Sequence, residues 1–424
     1  MHTNGITDIL VNFCFCSEHL DDFEQLLDLR LFPATVKRVE TVFSFELLDE
    51  FHLHTLTNKK AVFDYYDALQ HKTNLVLPQN APNCYQLLIR VSHLHHHLAG
   101  KRRSGQSHGI DQYAPHRPEN RTAVYCPACP EPNFNIDVQE IQNTPPEKRH
   151  KNTLYLAVDG CHSAQCLKKV KIQTMLHSMR GLPILAHVIS FEIISKRIPE
   201  NLTYESSLIL KAVRMQNILK FKNAVITGIV SAICTQHGLF LPNGVVDMPK
   251  GEMFCLGDWV LYHALLGRED LHHVHLSYDL WCIFKVHLPD RLKCWPTQFS
   301  DQNVIRLLSE ARSCIPQLHI KGHGHMCKAC YHFEYTCHVG RTNRELVKTP
   351  WSSEKLTGGS THYMNNGHRH NTLDDFHRFW NFCKVQKLGA TLERQWAQAQ
   401  LATEDLQPQF DEFTQLFPPD TLEE

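Results

Sequence analysis

The sequence predicts a mixed α/β fold. Two apolar runs of strand length stop on an acid: LYLAVDG over residues 154–160 delivers Asp159, and VHLSYD delivers Asp279. Stretches with helical spacing of apolar residues lie before, between and after them. The 424 residues are 42% hydrophobic and 21% charged, a globular balance with room for two or three core-bearing units at roughly 150 residues each.

Along the chain, VNFCFC (residues 11–16) reads as a short strand with Cys14 and Cys16 alternating. Leu20, Phe23, Leu26 and Leu27 have helical spacing, Pro33 marks a turn, and VETVFSF (39–45) is strand-like. One long helix is predicted over residues 47–69 and another over 85–98. His95, His96 and His97 are consecutive, so they fan around that helix and are read as a solvated face. Residues 100–121 are polar, Gly/Pro-punctuated and locally basic and read as a linker or a mobile loop. After the strand ending at Asp159, strands are expected near 183–194 and 224–230, and a helix over 256–267. Beyond Asp279, WCIFKVHL continues helically, and residues 372–386 form an amphipathic helix with Thr372 and Asp375 in a capping-box layout. From Gln395 on there is no Lys or Arg, and this acidic tail reads as a frayed helix or a disordered end.

Composition excludes some classes of function. The net charge of −1 provides no global field toward nucleic acid, so any such binding must come from local basic segments: Lys101–Arg103, Lys148–Lys151 and Lys168–Lys171. No apolar run is long enough to cross a bilayer and MHTNGITD lacks a signal-peptide layout, so an intracellular protein is expected. With that expectation, sixteen cysteines and thirty histidines argue for thiols or metal ligands rather than a disulfide framework.

A buried strand that ends on a carboxylate is a common way to hold a divalent ion, and two such strands suggest metal-assisted phosphoryl transfer; the bland alternative for each acid is a turn residue. Asp247, Glu252 and Asp258 look like loop or cap residues, and Glu345 is the nearest third acid downstream of Asp279. G-x-S-x-G, P-loop and H-E-x-x-H patterns are absent. Ligand-like pairs occur at Cys126-x-x-Cys129, Cys234-x-x-His237 and Cys327-x-x-Cys330. His319, His323 and Cys327 would line one helix face at four-residue spacing unless Gly322 and Gly324 make the segment a loop. Zinc takes four ligands, so two pairs must meet in space; the alternative is reduced, buried thiols.

These blocks together resemble the KDZ (Kyakuja, Dileera and Zisupton) transposases, known chiefly from fungi, with the C-terminal part of the cysteine-cluster domain that often precedes them. The blocks are VNFCFC through HLHTLTNK, YCPACP, LYLAVDG, ICTQHGLFLPNGVVDMPKGE, HLSYDLWC, YHFEYTCHVGRT and GHRHNTLDDFHRFWNFCK. The resemblance implies a ribonuclease-H-like core with helical insertions and a small cysteine-cluster remnant at the N-terminus. It implies the following domains: 1–100 cluster remnant with helices, 101–122 linker, 123–390 transposase domain and 391–424 acidic tail. It further implies a D-D-E site for two Mg²⁺ ions, cleavage and strand transfer on transposon-end and target DNA, nuclear localisation and a homo-oligomer. The first two acids map to Asp159 and Asp279, and the third to Glu345. The second glutamate of the family's D-G-E-x-x-E-R-x-W block is Lys348 here, ahead of Trp351, and related hAT-type transposases place their catalytic glutamate at that point. Structural Zn²⁺ is expected at Cys126, Cys129, Cys234, His237, His319, His323 and Cys327, and none at Cys14 and Cys16, whose cluster partners are missing. Two further readings stand beside an active transposase: a catalytically dead, domesticated or decayed zinc-binding DNA or chromatin protein, and an unrelated zinc-binding scaffold.

Overall fold

The structure is a computed structural model that describes residues 1–16, 20–168, 197–199, 202, 223–249, 251–339 and 348–418. Its first unit is built on helices. α1 (Asp22–Asp28) starts at a reciprocal capping box between Asp21 and Glu24, and β1 (Leu31–Pro33) pairs antiparallel with β2 (Val42–Ser44). α2 (Phe45–Asn58) is capped by the Ser44 side chain, which accepts from the Leu47 N–H. α3 (Val62–Thr73) follows, then α4 (Tyr85–Arg103). Phe43, Leu47, Phe51, Tyr66, Leu69 and Leu88 close a core between them.

Three expectations are corrected here. The long helix over 47–69 is two helices, because Lys59 takes a left-handed φ of 55° and ends α2. Residues 11–16 form no strand; the Cys14 backbone instead hydrogen-bonds the Gln25 side chain. The segment after 100 opens as the last turn of α4, and a further turn of helix, α5 (Ile110–Tyr113), lies within it.

α6 (Val138–Asn143) leads into the central sheet. β3 (Leu154–Cys161) is its middle strand. β4 (Cys166–Leu167) and β5 (Ala224–Ile226) form a separate small ribbon. β6 (Gly228–Cys234) and β7 (Phe240–Met248) complete an antiparallel meander with β3. After α7 (Phe254–Leu265), β8 (Val274–Ser277) lies parallel to β3. α8 (Trp281–Phe284), α9 (Leu288–Lys293) and α10 (Gln302–Ser309) precede β9 (Arg312–Cys314), which is parallel to β8. The strand order is β7-β6-β3-β8-β9. The strand expected near 224–230 is β5 with the start of β6, and the one expected near 183–194 lies outside the described residues.

β3 is buried on both faces, which explains its unbroken apolar run. Leu154, Leu156 and Val158 pack into a core with Trp259 and Val260 of α7. Ala157 and Cys161 face the other way, onto Trp351, Leu373 and Phe376. Those residues belong to the last group of helices. α11 (Gln317–Ile320) and α12 (His325–Tyr331) are short; α13 (Lys348–Glu354), α14 (Thr357–Thr361) and α15 (Asn366–Gln386) follow. α15 begins six residues before the expected Thr372 cap: the Asn365 side chain accepts from the His368 N–H and starts the helix, leaving Thr372 inside it. The acidic tail is helical as α16 (Leu388–Thr414), with Leu388 its one buried residue. No helix among the described residues is long and apolar enough to cross a membrane.

Candidate functional site

The sheet register brings the two strand-ending acids side by side. β3 and β8 run parallel with Ala157 opposite Ser277, so Asp159 and Asp279, each two residues further on, stand at the same level. Residue alternation puts both on the face that carries Trp351. The Trp351 indole N–H donates to Asp159 Oδ2 (3.1 Å), and the Gly160 N–H donates to Oδ1 (2.9 Å). Burial, followed by the charge of Asp279, raises the Asp159 carboxyl above its ordinary range. Two like charges crowded at strand ends in this way leave a place for a cation.

Glu252 is a third carboxylate at this edge. β7 is antiparallel to β6, hence parallel to β3, and its C-terminus points the same way; Glu252 lies four residues past it. The Tyr278 O–H donates to Glu252 Oε1 (2.9 Å), and Glu252 Oε2 leaves only 3.0 Å to where a Cβ on Gly160 would stand. Desolvation, then Asp279 and Asp159, push Glu252 up to about 8, so it is largely protonated at neutral pH. Glu252 is a loop residue, as the sequence indicates, and the loop turns its carboxyl in toward the two acids.

Lys348 enters the same pocket as the first residue of α13. Its ammonium meets His319 Nε2, and His319 Nδ1 lies 3.6 Å from Asp279 Oδ2. The Lys348 charge also acts on Asp159, pulling its carboxyl back down. Glu345 lies outside the described residues.

The two remaining acids set aside in the sequence are structural, and neither is a cap. Asp247, inside β7, takes Arg369 Nη1 (2.5 Å) and His370 Nε2 (2.6 Å). Asp258, inside α7, forms a forked pair with Arg291 (2.6 and 2.9 Å) with both side chains fully buried.

Three Cys/His/Asp groups among the described residues are close enough to hold a metal ion. The first unites two of the sequence pairs: Cys126 and Cys129 meet Cys234 and His237. His237 Nδ1 is 3.3 Å from Cys126 Sγ, 3.6 Å from Cys129 Sγ and 3.3 Å from Cys234 Sγ. Ligand bonds of about 2.3 Å to sulfur and 2.05 Å to nitrogen at tetrahedral angles require S···N near 3.6 Å, so this set can hold structural zinc. Cys234 pairs with Leu156, near the start of β3, so this site pins the sheet at the edge opposite the acids.

The second group is Cys282, His323 and Cys327. Of the two readings of His319, His323 and Cys327, the loop holds and the single helix face does not: the Gly322–Gly324 turn separates α11 from α12, and His319 turns to Asp279.

The third group is His52, His96 and Asp375. Arg103 (3.4 Å) and Arg378 (3.7 Å) face Asp375 Oδ1 while the two histidines face Oδ2, so the carboxylate is already neutralised in a buried charge network and is not a cation site. The reading of residues 95–97 as a solvated face is corrected by it, since His95 is 6% exposed and His96 stacks on His52 at 3.9 Å. Arg103 is likewise engaged there, which removes it from the candidate phosphate contacts.

Neither a curated protein nor a solved structure matches the chain. Two family profiles do. Residues 1–76 match the CxC2-like cysteine cluster associated with KDZ transposases, and residues 152–381, more than half the chain, match the Kyakuja-Dileera-Zisupton transposase. The second match spans β3 to α15, with Asp159, Asp279, Glu252 and Lys348 inside it, and the chain therefore belongs to the KDZ transposase family.

Proposed function

We propose that this protein is a DNA-binding transposase relative with a ribonuclease-H-like core whose acidic pocket is silenced by Lys348. The core reading is supported by the sheet: a three-stranded antiparallel meander extended by two parallel strands, with acids at the carboxyl ends of β3 and β8. The observation that carries the silencing is the Lys348 ammonium, which bonds His319 beside Asp279 and acts on Asp159.

A two-ion phosphodiester site needs carboxylate oxygens free to bridge hard cations. In this pocket the Asp159 oxygens are taken by Trp351 and Gly160, and Lys348 already supplies a positive charge. The donor set does not fit two Mg²⁺ ions, and no cleavage step is derived through them. What the pocket retains is the geometry of a charge-binding cleft. The Cys126/Cys129/Cys234/His237 set is assigned a structural Zn²⁺, the protein is assigned to the nucleus, and DNA is its partner through surface cations such as Lys148 and Lys151, both exposed.

A nicking assay on labelled transposon-end DNA with Mg²⁺ or Mn²⁺ tests this. Wild type should cleave no faster than Asp159→Ala, and Lys348→Glu should gain cleavage that a second change at Asp159 or Asp279 abolishes. Glu252 favours one other reading, a retained site with its third acid supplied from beyond β7. Wild-type nicking lost in both Asp159→Asn and Glu252→Gln would establish that reading and refute silencing.

A further inference from the structure

We infer that Cys282, His323 and Cys327 form a second zinc site, with three protein ligands among the described residues. The site stands on geometry that is independent of the acid pocket. Cys282 is the second residue of α8, three residues past Asp279. His323 lies in the turn after α11, and Cys327 in the first turn of α12. Residues from two separate segments thus converge, with all three ligand atoms within 4.8 Å of one another.

The distance that is most diagnostic is Cys282 Sγ to His323 Nδ1, at 3.6 Å. Zinc–sulfur and zinc–nitrogen bonds at a tetrahedral angle place those atoms about 3.6 Å apart. Two thiolates and a neutral imidazole also cancel the dication's charge, so a filled site carries no net charge at a half-buried position. Three ligands among the described residues distinguish this set from the four-ligand site at the opposite edge of the sheet.

Its place in the fold gives it a role. The metal would tie the segment that follows Asp279 to the segment that follows His319, and His319 is the residue that links Asp279 to Lys348. The zinc therefore sets the width of the acid pocket without touching its acids: Cys282, His323 and Cys327 are positioning residues.

Metal content of the purified full-length chain, measured by mass spectrometry after dialysis, tests the assignment. Cys327→Ser and His323→Ala should each lose one zinc equivalent per chain while keeping the wild-type far-ultraviolet circular dichroism. Cys234→Ser should lose a different equivalent, additive with the first. Cys330→Ser, at an exposed neighbouring thiol, should lose none. Unchanged zinc in Cys327→Ser and His323→Ala overturns the site, as does loss in Cys330→Ser. Should the variants fail to fold, alkylation of wild type decides: zinc should slow labelling of Cys282 and Cys327 at least tenfold relative to chelator-treated protein, and equal rates, or a Cys282–Cys327 disulfide, refute the proposal.

Discussion

Replacing Asp247 with Asn should cost the KDZ core a large share of its stability. Asp247 is 4% exposed and Arg369 0%, so the pair sits in a medium where an unmatched charge is expensive. Asp247 Oδ1 takes Arg369 Nη1 at 2.5 Å, while Arg369 Nη2 donates to the Ala164 carbonyl at 2.6 Å. The ion pair thus fixes α15 to β7 and to the loop that follows Asp159. An Asn side chain keeps the size of the Asp and removes its charge, leaving the guanidinium with one carbonyl; breaking a buried pair this way costs about 3–5 kcal/mol. At about 2 °C per kcal/mol for a unit of this size, Tm should fall by roughly 6–10 °C. Acid should have a related effect. Burial acts to raise the Asp247 carboxyl, but Arg369 and then His370 outweigh it and hold it at about 2, against an ordinary 3.8. A depressed carboxylate contributes stability above its unfolded pKa and loses it as pH falls through the folded one. About 2 kcal/mol should therefore disappear between roughly pH 4 and pH 2 in wild type and not in Asp247→Asn. Thermal melts by circular dichroism measure both, and the double variant Asp247→Asn/Arg369→Met should recover most of the loss. A single-variant shift under about 2 °C, corresponding to less than about 1 kcal/mol, would refute the reasoning.

Other outcomes can be checked with the same preparation. Chelation of the Cys126/Cys129/Cys234/His237 site should lower Tm, since a ligand present at a thousandfold excess over its Kd contributes about 4 kcal/mol; Cys234→Ser should melt at the chelated temperature with or without zinc. Gly228→Ala should open the β3–β6 pairing, because the new Cβ would stand 2.2 Å from the Cys161 carbonyl oxygen and 2.9 Å from His162 Cα, both backbone atoms; a urea midpoint within error of wild type would contradict this. The N-terminal unit should loosen between about pH 6.5 and 4. His93 and His95, held at about 4 chiefly by burial, refuse protons that the unfolded chain accepts, so stability is full above the unfolded pKa and falls as pH drops toward the folded one. Tryptic cleavage within residues 1–103 followed against pH reads the change.

Much of the fold was legible because a few strong local signals coincide with it. The apolar runs before Asp159 and Asp279 are strands buried on both faces, and such strands must be continuously apolar. The C-x-x-C and C-x-x-H pairs were visible as pairs, but not their union: Cys129 and Cys234 lie 105 residues apart and meet only because the β6–β7 turn docks on the loop at 126–129. Glu252 reads only as a loop residue in the sequence, because Pro249 and Gly251 spell a loop while its approach to the acids is set by the meander. The argument that His95–His97 cannot share one metal holds for a lone helix; it fails to foresee that α2 supplies His52 and Asp49 and α15 supplies Asp375, so that different faces of α4 find different partners. Lys59 gave no warning of a left-handed turn, since it is not a glycine or an asparagine.

On the proposed reading, lysine rather than an acid at position 348 also relieves the fold. With glutamate at position 348 the pocket would gather another negative charge beside Asp159 and Asp279, a strain that an active site tolerates only because a bound dication offsets it. Lysine there cancels part of the repulsion and needs no ion. Lys348→Glu should therefore lower Tm in metal-free buffer by an amount equivalent to roughly 1–3 kcal/mol, the scale of one reversed charge near a protein surface. Mg²⁺ or Mn²⁺ should restore that loss in the variant and leave wild type unmoved. A wild-type melt that rises with Mg²⁺ as much as the variant's would show that the dication binds despite Lys348, and the pocket would then have to be read as open rather than silenced. If the pocket is silenced as proposed, the folded chain gains by lysine at 348 wherever cleavage is not selected, and recovery of the site requires both the acid and the metal together.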